Sequence, residues 1–113
     1  MSCLFCRIVE GEIPSNKVYD GEDIIAFYDI SPKAPTHVLI IPKHHLEWIS
    51  GATEDDAPLL GRMILVANQI ARQEGIDKTG YRLVFNCGHD AGQEVSHIHL
   101  HLLGGRTLKW PPG

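Results

Sequence analysis

The chain has 113 residues, a formal net charge of −4, 43% hydrophobic residues and 21% charged residues. That suits one domain with a buried core, and the absence of a basic cluster excludes a non-specific electrostatic grip on nucleic acid. No apolar run is long enough to span a membrane, and "MSCLFCRIVEGEIP", charged from Arg7 onward, lacks the apolar stretch of a signal peptide.

In chain order, Phe5–Glu10 reads as a short helix closed by Gly11 and Pro14. "KVYD" and "DIIAFYDI" read as strands around the turn signal Asp20-Gly21, and "HVLIIP" as an apolar strand stopped by Pro42. The long helix is predicted from about Thr53 to Glu74, with Thr53 and Asp56 at capping spacing and Gly75 at its end. Leu59, Leu60, Met63, Ile64, Ala67, Ile70 and Ala71 form its apolar stripe. "YRLVFN" and "HIHLHLL" are the fourth and fifth strands, the last ended by Gly104-Gly105. Mostly strands around one long helix, with short connections, predict an α+β domain with antiparallel pairing. Three cysteines (Cys3, Cys6 and Cys87), an odd number without a leader, predict a reducing compartment, the cytoplasm, and no structural disulfide.

The fifth strand carries the densest chemistry. Alternate strand residues share a face, so His97, His99 and His101 line one side while Ile98, Leu100 and Leu102 face the helix. Same-face neighbours lie roughly 7 Å apart, so the three cannot all touch one small atom. His99 can face a reacting centre with the other two flanking it. Three chemistries compete: a polar face rich in histidine by chance, a three-histidine zinc site, and a histidine nucleophile. Imidazole, with an ordinary pKa of ~6.5, is mostly neutral at pH 7 and can attack phosphorus or carbon. "NCGHDAGQEVS", residues 86–96, favours phosphorus. Gly88 and Gly92 allow close backbone approach, N–H groups there can hold phosphate oxygens, and Asn86, Gln93 and Ser96 add polar contacts. It is not a P-loop, because no G-K-S/T follows.

His97-Ile98-His99-Leu100-His101-Leu102-Leu103 has the form H-φ-H-φ-H-φ-φ, with φ apolar. Together with "AFYDISPKAPTHVLIIPKHH", "GYRLVFN", "GQEVSHIHLHLLGGR" and the terminal "WPPG", it resembles the Hint branch of the histidine-triad superfamily from about Phe5 to Gly113. The resemblance implies one HIT domain over residues 1–113, with a five-stranded antiparallel meander, a long helix and a short N-terminal helix. It also implies a homodimer whose two sheets join, and a purine nucleotide site. The implied activity is hydrolysis of nucleoside 5′-phosphoramidates through a nucleotidyl-histidine, with loop amides and imidazolium carrying the developing charge and no catalytic metal. Matched by position, His99 is the nucleophile, His101 lies near the leaving group, and His97 with His45 orients the nucleophile from behind. Asp29 matches the ribose contact, and Asn86 with the segment containing Gly92, Gln93 and Val95 the phosphate contacts. Phe27, Val18 and Ile24 match walls of the base pocket, and the tail with Trp110 lies near the partner's site.

Glu94 stands where animal Hint proteins carry a serine near the phosphate; a carboxylate there is repulsive, so Glu94 is left out of the site. Ser96 precedes the triad where relatives often have an aromatic residue. Cys3-x-x-Cys6 is a modest zinc signal. The resemblance adds His45 and His97, giving a structural zinc on Cys3, Cys6, His45 and His97, with His44 pointing elsewhere and Cys87 a buried small residue or a loop thiol rather than a ligand. The rival readings are a dinucleoside polyphosphate hydrolase or nucleotidyl transferase, which a short chain without a C-terminal extension disfavours, and a nucleotide-binding interaction protein with incidental turnover.

Overall fold

The computed structural model describes residues 3–113; Met1 and Ser2, the start of the domain expected over 1–113, lie outside the described residues. Helix α1 is Leu4–Val9, followed by strands β1 (Lys17–Asp20), β2 (Ile24–Tyr28) and β3 (Thr36–Pro42). The long helix α2 is Ala57–Gln73, and strands β4 (Tyr81–Phe85) and β5 (Leu100–Gly104) close the chain. All pairings are antiparallel, in the order β1-β2-β3-β5-β4. The sheet meanders through β3. The α2 segment then leads to the far edge, where β4 is laid down, and β5 returns between β3 and β4.

Each face of the central strands is covered. Ile24, Ala26, Val38, Ile40, Leu100 and Leu102 pack with Met63, Val66, Ala67, Ile70 and Ala71 of α2. On the other face Ile25, Phe27, Leu39 and Ile41 pack with Phe5 and Ile8 of α1. This double burial is why β2 and β3 are apolar almost without interruption. The start of α2 is a 3₁₀ turn at Glu54–Asp56, in which the Thr53 N–H donates to Asp56 Oδ2 at 2.9 Å. Gly75, at φ 75°, follows its end. The buried stripe is Met63, Val66, Ala67, Ile70 and Ala71. Ile64, expected in it, sits at the margin and is 41% exposed.

The fifth strand begins three residues later than predicted. β5 first pairs with β3 at Leu100↔Ile40. Upstream, the Ile98 N–H donates instead to the Leu46 carbonyl at 2.7 Å, and the His97 N–H to the Val95 carbonyl at 2.9 Å. His97, Ile98 and His99 therefore lie outside the ladder, yet the alternation persists: Ile98, Leu100 and Leu102 all enter the α2-side core. Among the described residues, no helix is long and apolar enough to cross a membrane.

Candidate active site

The α1-covered face opens into a cavity of about 610 Å³. Its floor is apolar, made by Phe5, Ile8, Ile13, Phe27 and Leu39; Asp29, Lys33, Glu94, Val95, His99 and His101 also line it. Strand register explains the shared face, because Phe27 pairs with Leu39 and Leu39 with His101. The Phe5 ring stands edge-on to Phe27 at 5.7 Å and to His99 at 5.1 Å between centroids.

Hydrogen bonds fix how the histidines present themselves. His99 Nδ1 lies 2.8 Å from the His97 carbonyl. A carbonyl only accepts, so Nδ1 carries the proton and the neutral ring keeps its lone pair on Nε2. The opposite arrangement is built at His101. The Lys33 N–H donates to His37 Nδ1 at 3.0 Å, which puts the His37 proton on Nε2. That nitrogen lies 2.9 Å from His101 Nδ1 and 3.4 Å from Asp29 Oδ2. His101 thus accepts at Nδ1 and keeps its own proton on Nε2. Two rings with centroids 4.9 Å apart offer a bare Nε2 and an Nε2–H, a nucleophile beside a hydrogen-bond donor.

Burial, with help from His99 and His37 and against Asp29, pulls the His101 pKa down to about 4. Burial also lowers that of His37. Both rings are neutral at pH 7, so His101 presents a neutral Nε2–H to the cavity.

Behind His99 lies a second cluster. Cys3 Sγ is 3.5 Å from His45 Nδ1 and 3.3 Å from His97 Nδ1. Cys6 Sγ is 3.3 and 3.6 Å from the same atoms, which are 3.1 Å apart. The edges of a tetrahedron at zinc bond lengths are about 3.3 to 3.8 Å, so two thiols and two imidazoles fit such an ion in donor type and spacing. His97 Nε2–H donates to the Pro42 carbonyl at 2.8 Å, which leaves Nδ1 free to ligate. Burial, chiefly, and the neighbouring Cys3 push the Cys6 thiol up to about 11. A dication supplies the charge that ionises such thiols. Asp29, His37 and His101 also bring three donor atoms together within 4.8 Å. There, however, the proton that Lys33 places on His37 Nε2 closes the group as a hydrogen bond.

Sequence comparison decides the family: the HIT domain profile matches residues 10–108. The chain belongs to the HIT domain family. It is 51% identical over 105 residues to the purine nucleoside phosphoramidase of Escherichia coli (strain K12), covering 93% of this chain and 88% of that protein. It is 49% identical over 112 residues to a 14 kDa zinc-binding protein of Zea mays, covering 97% and 87%. The structure of a HIT family hydrolase from Legionella pneumophila Philadelphia 1 superposes with a TM-score of 0.97 at 54% identity, covering 99% of this chain and 100% of that one.

Within this HIT domain, several residues matched by position fall elsewhere than expected. Val18 and Ile24 do not wall the cavity: Ile24 alternates with Ile25 on β2 and faces α2, and Val18 packs against the same core. His45 meets His97, their Nδ1 atoms 3.1 Å apart, and it is the His97 carbonyl rather than its ring that holds His99. Asn86, Gly92 and Gln93 are absent from the cavity wall. Gln93 is committed to bracing its own loop: Oε1 accepts from the Gly88 N–H at 2.9 Å, and Nε2 donates to the Glu47 and Val95 carbonyls at 3.0 Å each. The Gly92 and Gln93 N–H groups are likewise taken, by the His89 and Gly88 carbonyls. Asp29, Phe27, Val95, His99 and His101 do share the cavity. His44 is exposed, and Cys87 is a free thiol outside the four-donor cluster, lowered in pKa by hydrogen bonds from Ser50. His37 is the residue sequence reasoning missed. The available signal was a single histidine in the otherwise apolar "HVLIIP", on a strand adjoining the triad.

Proposed function

We propose that this single HIT domain is a purine nucleoside phosphoramidase that works through a nucleotidyl-histidine. The carrying observation is the pair of opposed tautomers, a bare Nε2 on His99 beside an Nε2–H on His101, over an apolar floor large enough for a purine. The lone pair of His99 Nε2 attacks the α-phosphorus. The P–N bond breaks, its electrons leave on the amine nitrogen, and that nitrogen takes up a proton from solvent while His101 donates a hydrogen bond. Water then attacks phosphorus, the P–Nε2 pair returns to His99, and the water's proton goes to solvent. Asp29, at the cavity wall, suits the ribose hydroxyls with its two acceptor oxygens, and Val95 borders the phosphate. His37 is a positioning residue that sets the His101 tautomer.

No step of this reaction calls on a catalytic metal, because His99 supplies the nucleophile and His101 the hydrogen-bond donor. The thiol–imidazole cluster of Cys3, Cys6, His45 and His97 takes a structural zinc, a reading supported by its donor set and by the name of the maize relative. Three free cysteines fit a reducing compartment such as the cytoplasm. A homodimer is supported by the sheet's two edges. β1 is guarded by the Lys17–Asp20 and Lys43–Asp20 ion pairs, whereas β4 pairs only on its β5 side and Trp110 is 81% exposed.

Product analysis on AMP and GMP phosphoramidates, with a dinucleoside polyphosphate as control, tests the activity. The expected result is nucleoside monophosphate from the phosphoramidates, with retained configuration at phosphorus because two displacements occur. Inversion at phosphorus would remove the covalent step. Turnover confined to the dinucleoside polyphosphate would replace the substrate class.

A further inference from the structure

One cavity side chain has no task in this reaction. Glu94 is exposed and lines the same cavity as Val95, His99 and His101. Among the described residues, no ion pair engages its carboxylate. Lys33, the cation on the same wall, donates its ammonium to the Ser31 carbonyl at 2.8 Å, beside Asp29. The apolar floor suits the base, Asp29 the ribose and His99 the phosphorus. The phosphate repels a carboxylate, so the leaving group is the part of the substrate that an exposed wall carboxylate can meet favourably. A fixed negative charge there raises the energy of a further anion and lowers that of a cation.

We propose, on the basis of the phosphoramidase reading, that Glu94 is a specificity-determining residue that selects leaving amines bearing a second, positively charged group and rejects anionic ones. The favoured substrate is a nucleoside phosphoramidate of a diamine. The same charge turns away leaving groups that are themselves phosphates.

The test uses three AMP phosphoramidates of matched length, made from 1,5-diaminopentane, pentylamine and 5-aminopentanoate. The readout is the ratio of kcat/KM between the cationic and anionic substrates, in which any loss common to both cancels. A unit charge about 6 Å away at a water-exposed rim changes each rate by about threefold, in opposite directions for cation and anion, which separates the two by about tenfold. The wild-type protein should therefore favour the diamine over the amino acid by about tenfold or more, and added salt should shrink the ratio. Glu94→Gln should cut the ratio about tenfold, and Glu94→Lys should invert it. A ratio constant within about twofold across Glu94, Gln and Lys, with pentylamine turned over normally, would overturn the role of Glu94 and leave the phosphoramidase reading standing. Failure of the wild-type protein to release AMP from the pentylamine substrate would overturn both.

Discussion

His97 and His99 are two residues apart, both buried, and each ties one ring nitrogen to a backbone carbonyl. They differ in which nitrogen is tied. His97 uses Nε2, so its free Nδ1 turns to Cys3, Cys6 and His45; His99 uses Nδ1, so its free Nε2 serves the cavity. On the proposed reading, one carbonyl each, from Pro42 and from His97 itself, sorts a single histidine run into a ligand and a nucleophile. Residue type made both roles possible, and backbone placement assigned them.

Substitutions should separate the two roles. The largest effect is expected at His99: His99→Ala should lower AMP release by about 10⁴-fold or more, leave AMP affinity within a few-fold, and leave about one metal ion per chain. Measurable turnover near the wild-type rate would end the nucleophile assignment. Cys3→Ser with Cys6→Ser should do the converse. It should abolish metal content by elemental analysis and lower the melting temperature by about 10 °C, while turnover persists in the folded fraction. An unchanged melting temperature in metal-free protein would leave the cysteines as packing residues.

His37→Phe removes the donor that sets the His101 tautomer. It should lower kcat by about 10- to 100-fold with KM little changed, and a change in KM alone would point to a role in binding. The smallest effect is on pH dependence. The folded pKa of His101 lies near 4, below its ordinary 6.5. The unfolded chain therefore takes up a proton that the folded one refuses, and stability falls as pH drops from about 6.5 toward 4. Melting curves across that window should flatten in His101→Asn, and an equal slope in both proteins would assign the effect to other groups.

How much of this was legible in the sequence follows from how far each signal reaches. Local periodicity sufficed for five strands, the long helix and the helix-facing set Ile98, Leu100 and Leu102. A strand covered on both sides has no polar phase to mark its faces, so Ile24 was placed at the cavity wall by matched position alone, and it lies opposite Phe27, facing α2. His37 escaped for the same reason: a lone histidine among buried aliphatics reads as core until the fold sets His101 beside it. The Gln93 braces join positions 47, 88 and 93, and the late start of β5 depends on Leu46. Those are tertiary contacts with no local signature.

Helix α1 is only six residues long, yet it borders both centres. Cys3, its cap, accepts the Cys6 N–H at 3.1 Å and faces the metal cluster, while Leu4, Phe5 and Ile8 close the nucleotide cavity. On the proposed reading one turn holds both ligands, which makes them thermodynamic partners. Whatever factor zinc adds to nucleotide affinity, nucleotide must return to zinc affinity. A chelator titration should therefore strip metal from the free protein at a lower concentration than from protein saturated with AMP, and the ratio of the two midpoints measures the communication between centres that never touch the same ligand.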